Sequence, residues 1–386
     1  MSAPRYTPLE MLERLVSFDT ESHKSNLPLI DFAEDYLRAH GIAVRRLPNA
    51  QGDKAALLAT IGPMVEGGVV LSGHTDVVPV EGQAWSSDPY RLRVADGRAY
   101  GRGAVDMKGF DAIALALAPD FAAAPLKEPI HILLSYDEET TCLGVVDAIA
   151  AFGRDVPRPR AVLVGEPTGL EVADAHKGVA MCETSVSGTE AHSSNPEAGA
   201  SAVMAACEFV ARLMTLGDRL RAAGDATGRF TPGYSTLHVG TIEGGTARNI
   251  LARACGFGWE IRYLPGVDMA EIQAQVEDIA RGVAAERLTR DGPYGAIENR
   301  WSVDVPGLAP DPSSEAERLA LRLAQRNRPI TVAYGSEAGR FQGAGLSTVL
   351  CGPGDIARAH KADEYITLDE LAAGEAFLRR LAATLS

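Results

Sequence analysis

The sequence predicts an α/β protein: a mostly parallel sheet flanked by helices, with a smaller α+β domain inserted into it. Short apolar runs at Ala55–Ile61, 68–71, Ile130–Ser135, 161–164 and 347–350 alternate with helical stretches, notably 107–124 and 143–152. Near-continuously apolar strands alternating with helices belong to sheets covered on both faces, which are mostly parallel. Between residues 178 and 306 the rhythm changes to β-α-β-β-α-β, the ferredoxin-like order.

The first helix is announced by Thr7-Pro8-Leu9-Glu10, a capping box with proline at the first helical position, followed by Leu9, Leu12, Leu15 and Val16 at helical spacing. A second amphipathic helix carries Leu29, Ile30, Phe32, Ala33, Tyr36 and Leu37, and Gly41 stops it. The inserted region opens with an alternating strand at 180–187 and a small-residue helix at 198–214. A loop rich in Gly, Asp and Pro at 224–233 follows, then strands at 236–242 and Ala254–Tyr263 around Gly244-Gly245-Thr246. An acidic helix, Met269–Arg287, and a strand near 301–305 complete it. The expected boundaries are 1–178 plus 307–386 for the larger domain and 179–306 for the insert. A second capping box, Thr367-Leu-Asp-Glu370, opens a last helix that runs to about Leu381.

Composition narrows the function. The 386 residues are 46% hydrophobic and 23% charged, ordinary for a globular protein with a large core. A formal net charge of −14 and no basic block exclude a nucleic-acid surface, which needs clustered Lys and Arg. The N-terminus lacks an apolar signal core, and the longest apolar run, 112–118, is far short of a membrane span. Five scattered cysteines with no CxxC spacing read as reduced, buried thiols of a cytoplasmic protein.

The chemistry gathers at strand ends. Leu71-Ser-Gly-His74-Thr-Asp76 places a histidine and an aspartate two apart, facing one side of extended backbone. His74 is a candidate metal ligand and Asp76 the acid that orients it. Asp106 follows a glycine-rich turn and opens a helix, as a cap or as a carboxylate shared by two metals. Asp137-Glu138-Glu139 ends an apolar strand, where open α/β sheets carry their sites. Three adjacent acids there repel one another unless cations neutralise them. In near-extended backbone, one glutamate would bind metal while its neighbour handles a proton. Glu166 ends another apolar strand, and His360 follows the strand at 347–350. Two histidines and three carboxylates suit two zinc-class ions that clamp and activate one water.

These residues, in this order, resemble the M20 metallopeptidase/deacylase family, and within it the bacterial acetylornithine deacetylases. The likeness runs through SGHTDVVP, GRGAVDMKGF, SYDEE, GEPT, AHKG, AHSSNP, STLHVG, GGTARNI, YGSEAGRFQ and CGPGDIARAHKADEY. It implies a di-zinc exopeptidase-like catalytic domain with an inserted lid that also dimerises. It further implies His74 and Glu166 on one Zn²⁺, Glu139 and His360 on the other, and Asp106 bridging, with Co²⁺ able to substitute. By the same resemblance Asp76 orients His74, Glu138 is the general base, and His192 supplies a hydrogen bond to the oxyanion. Arg248 and Asn249 are candidates for the substrate α-carboxylate, and Glu337 for a cationic ornithine side chain. The implied activity is hydrolysis of N-acetyl-L-ornithine in arginine synthesis by a cytoplasmic homodimer.

The sequence departs from the subgroup at Ala104-Val105, Thr140-Thr141, Arg248 and Leu251-Ala252, none of them a proposed metal ligand. Those departures keep open a related amidohydrolase acting on another N-acyl amino acid, succinyl-diaminopimelate or a small peptide. A catalytically silent metal-binding protein is the reading of a different class, and the complete set of acids and histidines argues against it.

Overall fold

The computed structural model describes residues 3–290 and 292–386. The chain divides into two compact units: Met1–Ala175 with Leu308–Thr331 and Ser336–Ser386, and His176–Gly307 with Val332–Gly335. In chain order the first unit begins with helices α1 (Pro8–Val16) and α2 (Leu27–Ala39) and strands β1 (Ala43–Pro48), β2 (Ala55–Ile61) and β3 (Val69–His74). Strands β4 (Arg93–Ala95) and β5 (Arg98–Tyr100), helix α3 (Lys108–Ala123), strand β6 (Ile130–Ser135), helix α4 (Val146–Ala151) and strands β7 (Ala161–Pro167) and β8 (Ala173–His176) follow. The second unit contributes β9 (Gly178–Ser187), α5 (Ala202–Ala223), β10 (Thr236–Gly244), β11 (Ala254–Tyr263), α6 (Met269–Arg287) and β12 (Ile297–Val305). The chain ends with α7 (Glu315–Ala324), β13 (Ile330–Val332), α8 (Ala338–Gly343), β14 (Thr348–Gly352), β15 (Tyr365–Thr367) and α9 (Leu368–Leu385).

The large sheet has the order β1-β2-β6-β3-β7-β14-β8-β13. Its centre, β6-β3-β7-β14, is parallel, while β1–β2, β2–β6 and β14–β8 are antiparallel. Strand β2 is buried at every residue although it is antiparallel to both neighbours. A mostly apolar run therefore reports cover on both faces, not strand direction. Both capping boxes form: Thr7 with Glu10 and Thr367 with Glu370 each exchange side-chain and backbone hydrogen bonds. Helices α1, α3 and α9 share one core with the sheet, through residues such as Leu12, Leu15, Ile113, Leu117, Phe377 and Leu381.

Helix α3 is buried on nearly every side. Two glycines at the ends of parallel strands make room for it: a Cβ on Gly73 would overlap the Asp111 carboxylate, and one on Gly165 the Phe110 ring. Each glycine directly precedes a candidate site residue, His74 or Glu166. A small sheet, β15-β5-β4, pairs Tyr365 with Tyr100 and so sets the segment after His360 beside the segment leading to Asp106.

The second unit is a four-stranded antiparallel sheet of order β10-β11-β9-β12, the ferredoxin-like arrangement. Helices α5 and α6 share its core through Phe209, Leu213, Trp259, Ile261 and Val276. The expected helix at 198–214 begins later and ends later, because Ser201 caps it and Gly224 stops it. The helix expected at 143–152 shrinks to α4. Four cysteines are buried as expected, but Cys207 is exposed. Among the described residues, no helix is long and apolar enough to cross a membrane.

Gly165→Ala should lower unfolding stability by about 1–3 kcal/mol, since Phe110 has nowhere to retreat in a packed core. Urea unfolding of the chelated protein measures it; an unchanged midpoint would mean that α3 does not lie so close to β7.

Candidate active site

His74 closes β3 and is 1% exposed. Its Nδ1 lies 2.9 Å from the Asp76 backbone carbonyl, which can only accept, so Nδ1 carries the proton in the neutral ring. In that neutral form the Nε2 lone pair faces the acids, as a metal ligand requires; without metal the surrounding acids favour the doubly protonated ring, whose Nε2–H donates to Asp106. Nε2 stands 3.2 Å from Asp106 Oδ1 and 3.9 Å from both Glu138 Oε2 and Glu166 Oε1. The other oxygen of Asp106, Oδ2, is 3.0 Å from His360 Nε2, which is also 3.0 Å from Glu139 Oε2. Asp106 thus sits between two histidines, with Glu166 beside one and Glu139 beside the other. It does not cap α3, whose N-cap residue is Met107.

The acidic run is a turn, which corrects the expectation of near-extended backbone. Asp137 takes a positive φ of 57°, and its carbonyl accepts from Thr141 N–H (2.9 Å) and Cys142 N–H (2.7 Å). The Asp137 side chain pairs with Lys54, while Glu138 and Glu139 both join the cluster. The turn hangs from Asp76, whose carboxylate accepts from Glu138 N–H (3.1 Å), Glu139 N–H (3.3 Å) and the Ser22 hydroxyl (2.7 Å). The same carboxylate is 3.8 Å from His74 Nδ1. Asp76 therefore holds His74 mainly through its backbone carbonyl, and spends its charge on the glutamate pair.

Burial pushes the Glu138 and Glu166 carboxyls well above their usual range, and neighbouring acids add to the effect. Burial and the nearby Asp106 charge push Glu139 up to about 7. Asp106 goes the other way: burial opposes its charge, but hydrogen bonds from His360 and His74 outweigh burial and hold it low. Hydrogen bonds to Asp106 and Glu139 push His360 up to about 10. Four carboxyl groups packed this tightly cannot all ionise without positive charge among them. Glu166 Oε1 is buried and has no hydrogen-bond partner among the described residues. Ligand atoms of His74, Asp106 and Glu139, and those of His74, Glu138 and Glu166, lie within 4.8 Å of one another. Imidazole nitrogens with carboxylate oxygens are the donors that zinc-class ions take, so the residues fit divalent metal.

Glu337 is a correction. It is buried, and its carboxylate accepts from Ser72 (2.5 Å) and Ser135 (2.7 Å) hydroxyls beneath the ends of β3 and β6, so it is not open to an ornithine side chain. His192 lies in the second unit and is exposed. Its Nδ1 accepts from Ser194 N–H (3.2 Å) and lies 2.7 Å from the Ser194 hydroxyl. Its segment pairs with the one carrying Arg248 and Asn249: Ser193 N–H donates to Asn249 O (3.0 Å) and His192 bridges Ile250. Arg248 and Asn249 are exposed on that loop. Sequence reasoning missed Ser22, Arg102 and Glu364, whose partners lie far away along the chain.

The sequence model of peptidase family M20/M25/M40 matches residues 70–384. The chain is 37% identical over 377 residues to a protein named acetylornithine deacetylase from Myxococcus xanthus, covering 96% of each. It is 32% identical over 365 residues to another of that name from Proteus mirabilis (strain HI4320), covering 94% of this chain and 91% of that one. Among solved structures it is similar to a family M20 metallo-carboxypeptidase from Sulfolobus solfataricus, with a TM-score of 0.76, 16% identity and 98% of each chain covered.

Chelation should lower the melting temperature and zinc should restore it. A ligand at a thousandfold its dissociation constant stabilises by about 4 kcal/mol. Scanning calorimetry with and without chelator reads this directly, and identical traces would contradict a metal site here.

Proposed function

The chain belongs to peptidase family M20/M25/M40 and is a metal-dependent hydrolase, and from that premise we propose that it hydrolyses N-acetyl-L-ornithine to L-ornithine and acetate. Asp106, held between His74 and His360 among buried acids, carries the two-metal part of this reading. The choice of substrate rests on the names of the two full-length relatives.

In this reading His74 and Glu166 hold one divalent ion, Glu139 and His360 the other, and Asp106 is shared. Zinc is the expected metal, with cobalt as a substitute. When bound, such ions supply an acidified water and polarise the acyl carbonyl. Glu138 receives the proton of the attacking water and delivers it to the departing amine nitrogen. The Asp76 carboxylate, two residues beyond the end of β3, accepts the Glu138 amide N–H and so ties the backbone of the base to the segment that carries His74. His192 is assigned the hydrogen bond to the developing oxyanion. Its geometry suits donation: with Nδ1 accepting from Ser194 N–H, the neutral ring keeps its proton on Nε2. Arg248 and Asn249 are assigned the substrate α-carboxylate, which needs a charge-assisted partner once it leaves water. The setting we expect is arginine biosynthesis in the cytoplasm, as a homodimer formed through the second unit.

The purified protein, tested on N-acetyl-L-ornithine beside other N-acetyl amino acids, succinyl-diaminopimelate and dipeptides, should prefer the first and lose turnover with chelator. Glu138→Gln should lower kcat by roughly 10²–10⁴ while leaving bound metal unchanged. Metal-dependent turnover centred on another substrate would overturn the acetylornithine assignment. A Glu138→Gln variant of normal kcat would overturn the base.

A further inference from the structure

A buried ion pair lies behind the site and serves no step assigned above. Arg102 and Glu364 are each 1% exposed, and Arg102 Nη1 meets Glu364 Oε2 at 2.7 Å. The other carboxylate oxygen, Oε1, accepts from the backbone N–H groups of Val105 (3.0 Å) and Asp106 (3.1 Å). Glu364 therefore holds the backbone of Asp106 itself.

The same pair reaches the His360 segment. Arg102 Nη1 also lies 3.4 Å from the Lys361 carbonyl, and Arg102 Nη2 donates to Gln83 Oε1. Gln83 Nε2 in turn donates to the His360 carbonyl at 3.1 Å. The guanidinium lies 5.0 Å from the Trp85 ring centroid, which closes this side of the network. These anchors act on a residue whose side chain is 50% exposed and whose backbone sits at a φ of +60°; further along the segment Asp363 accepts from Ser86 N–H (3.0 Å) and the Ser86 hydroxyl (2.8 Å). Asp106 and His360 come from distant parts of the sequence, yet their ring-to-carboxylate distance is held at 3.0 Å.

Stability alone does not account for such a pair. Taking two charges out of water costs about as much as their attraction returns, and well-packed apolar replacements are often as stable. What apolar side chains cannot do is accept two particular amide protons and brace a neighbouring carbonyl.

We infer that Arg102 and Glu364 are positioning residues that set the spacing of Asp106 and His360, and thereby decide whether the cation on the Glu139–His360 side is retained. The inference rests on the two-metal reading above. Its consequence is an asymmetric one: loss of the clamp weakens one cation much more than the other.

Equilibrium dialysis against zinc, with cobalt(II) and its visible absorption as a second probe, separates the possibilities. Wild type should hold two equivalents. Glu364→Gln, which keeps the size but presents an amide to the guanidinium, should bind one cation as before and the second about 10- to 100-fold more weakly. Its cobalt spectrum should report the loss of one site. Arg102→Met/Glu364→Leu removes both charges together but leaves the Val105 and Asp106 amides without an acceptor, so it should show the same one-cation behaviour and unfold, with chelator, below the wild-type temperature. Either variant folding and binding two cations with wild-type affinity would overturn the clamp and leave the two-metal reading intact. Equal weakening of both cations would also overturn it. A wild-type protein that binds fewer than two cations would overturn both.

Discussion

Everything around the site follows from one constraint: Asp106, Glu138, Glu139 and Glu166 are packed together out of water. Water cannot screen their repulsion there, so positive charge has to be supplied from within. In the protein alone it comes from His74 and His360, which flank Asp106 at 3.2 and 3.0 Å. The response is visible in opposite directions on neighbouring groups. Asp106, which touches both rings, stays ionised, while burial drives the Glu138 and Glu166 carboxyls toward protonation. A pair of divalent ions would satisfy all of these groups at once, and the chain belongs to a metal-dependent family.

The fold makes such crowding affordable by fixing backbone rather than side chains. His74 and Glu166 sit at the ends of neighbouring parallel strands, each behind a glycine that admits α3. The glutamate turn hangs from the Asp76 carboxylate, and the Asp106 turn from Glu364. In both cases a buried carboxylate accepts adjacent amide protons and carries a candidate site residue with them. Acids thus play two parts here, some facing the site and others holding those that face it.

Much of this was legible in the sequence, for physical reasons. The capping boxes at Thr7 and Thr367 are local signals and form as read. Near-continuous apolar runs located β2, β3, β6, β7 and β14, because a strand covered on both faces leaves few positions to water. Each acid or histidine at the end of such a run reads on its own as a solvated loop residue or a cap, and only their recurrence at several strand ends points to chemistry. The illegible parts are those that depend on distant partners. Strands β4, β5, β13 and β15 are three residues each, too short to show a period. Glu337 looked like any loop acid, and only the fold reveals Ser72 and Ser135 at its oxygens. Arg102 and Glu364 meet across most of the chain, and no local pattern marks either one.

Asp106 as a ligand shared by two ions is the arrangement on which the other roles depend. Diffraction from zinc-loaded crystals, with anomalous data on both sides of the zinc edge, addresses that alone. Two peaks about 3.5–4 Å apart, one on each side of Asp106 and each beside one histidine, are the predicted result. A single peak, or two peaks of which only one contacts Asp106, would contradict it.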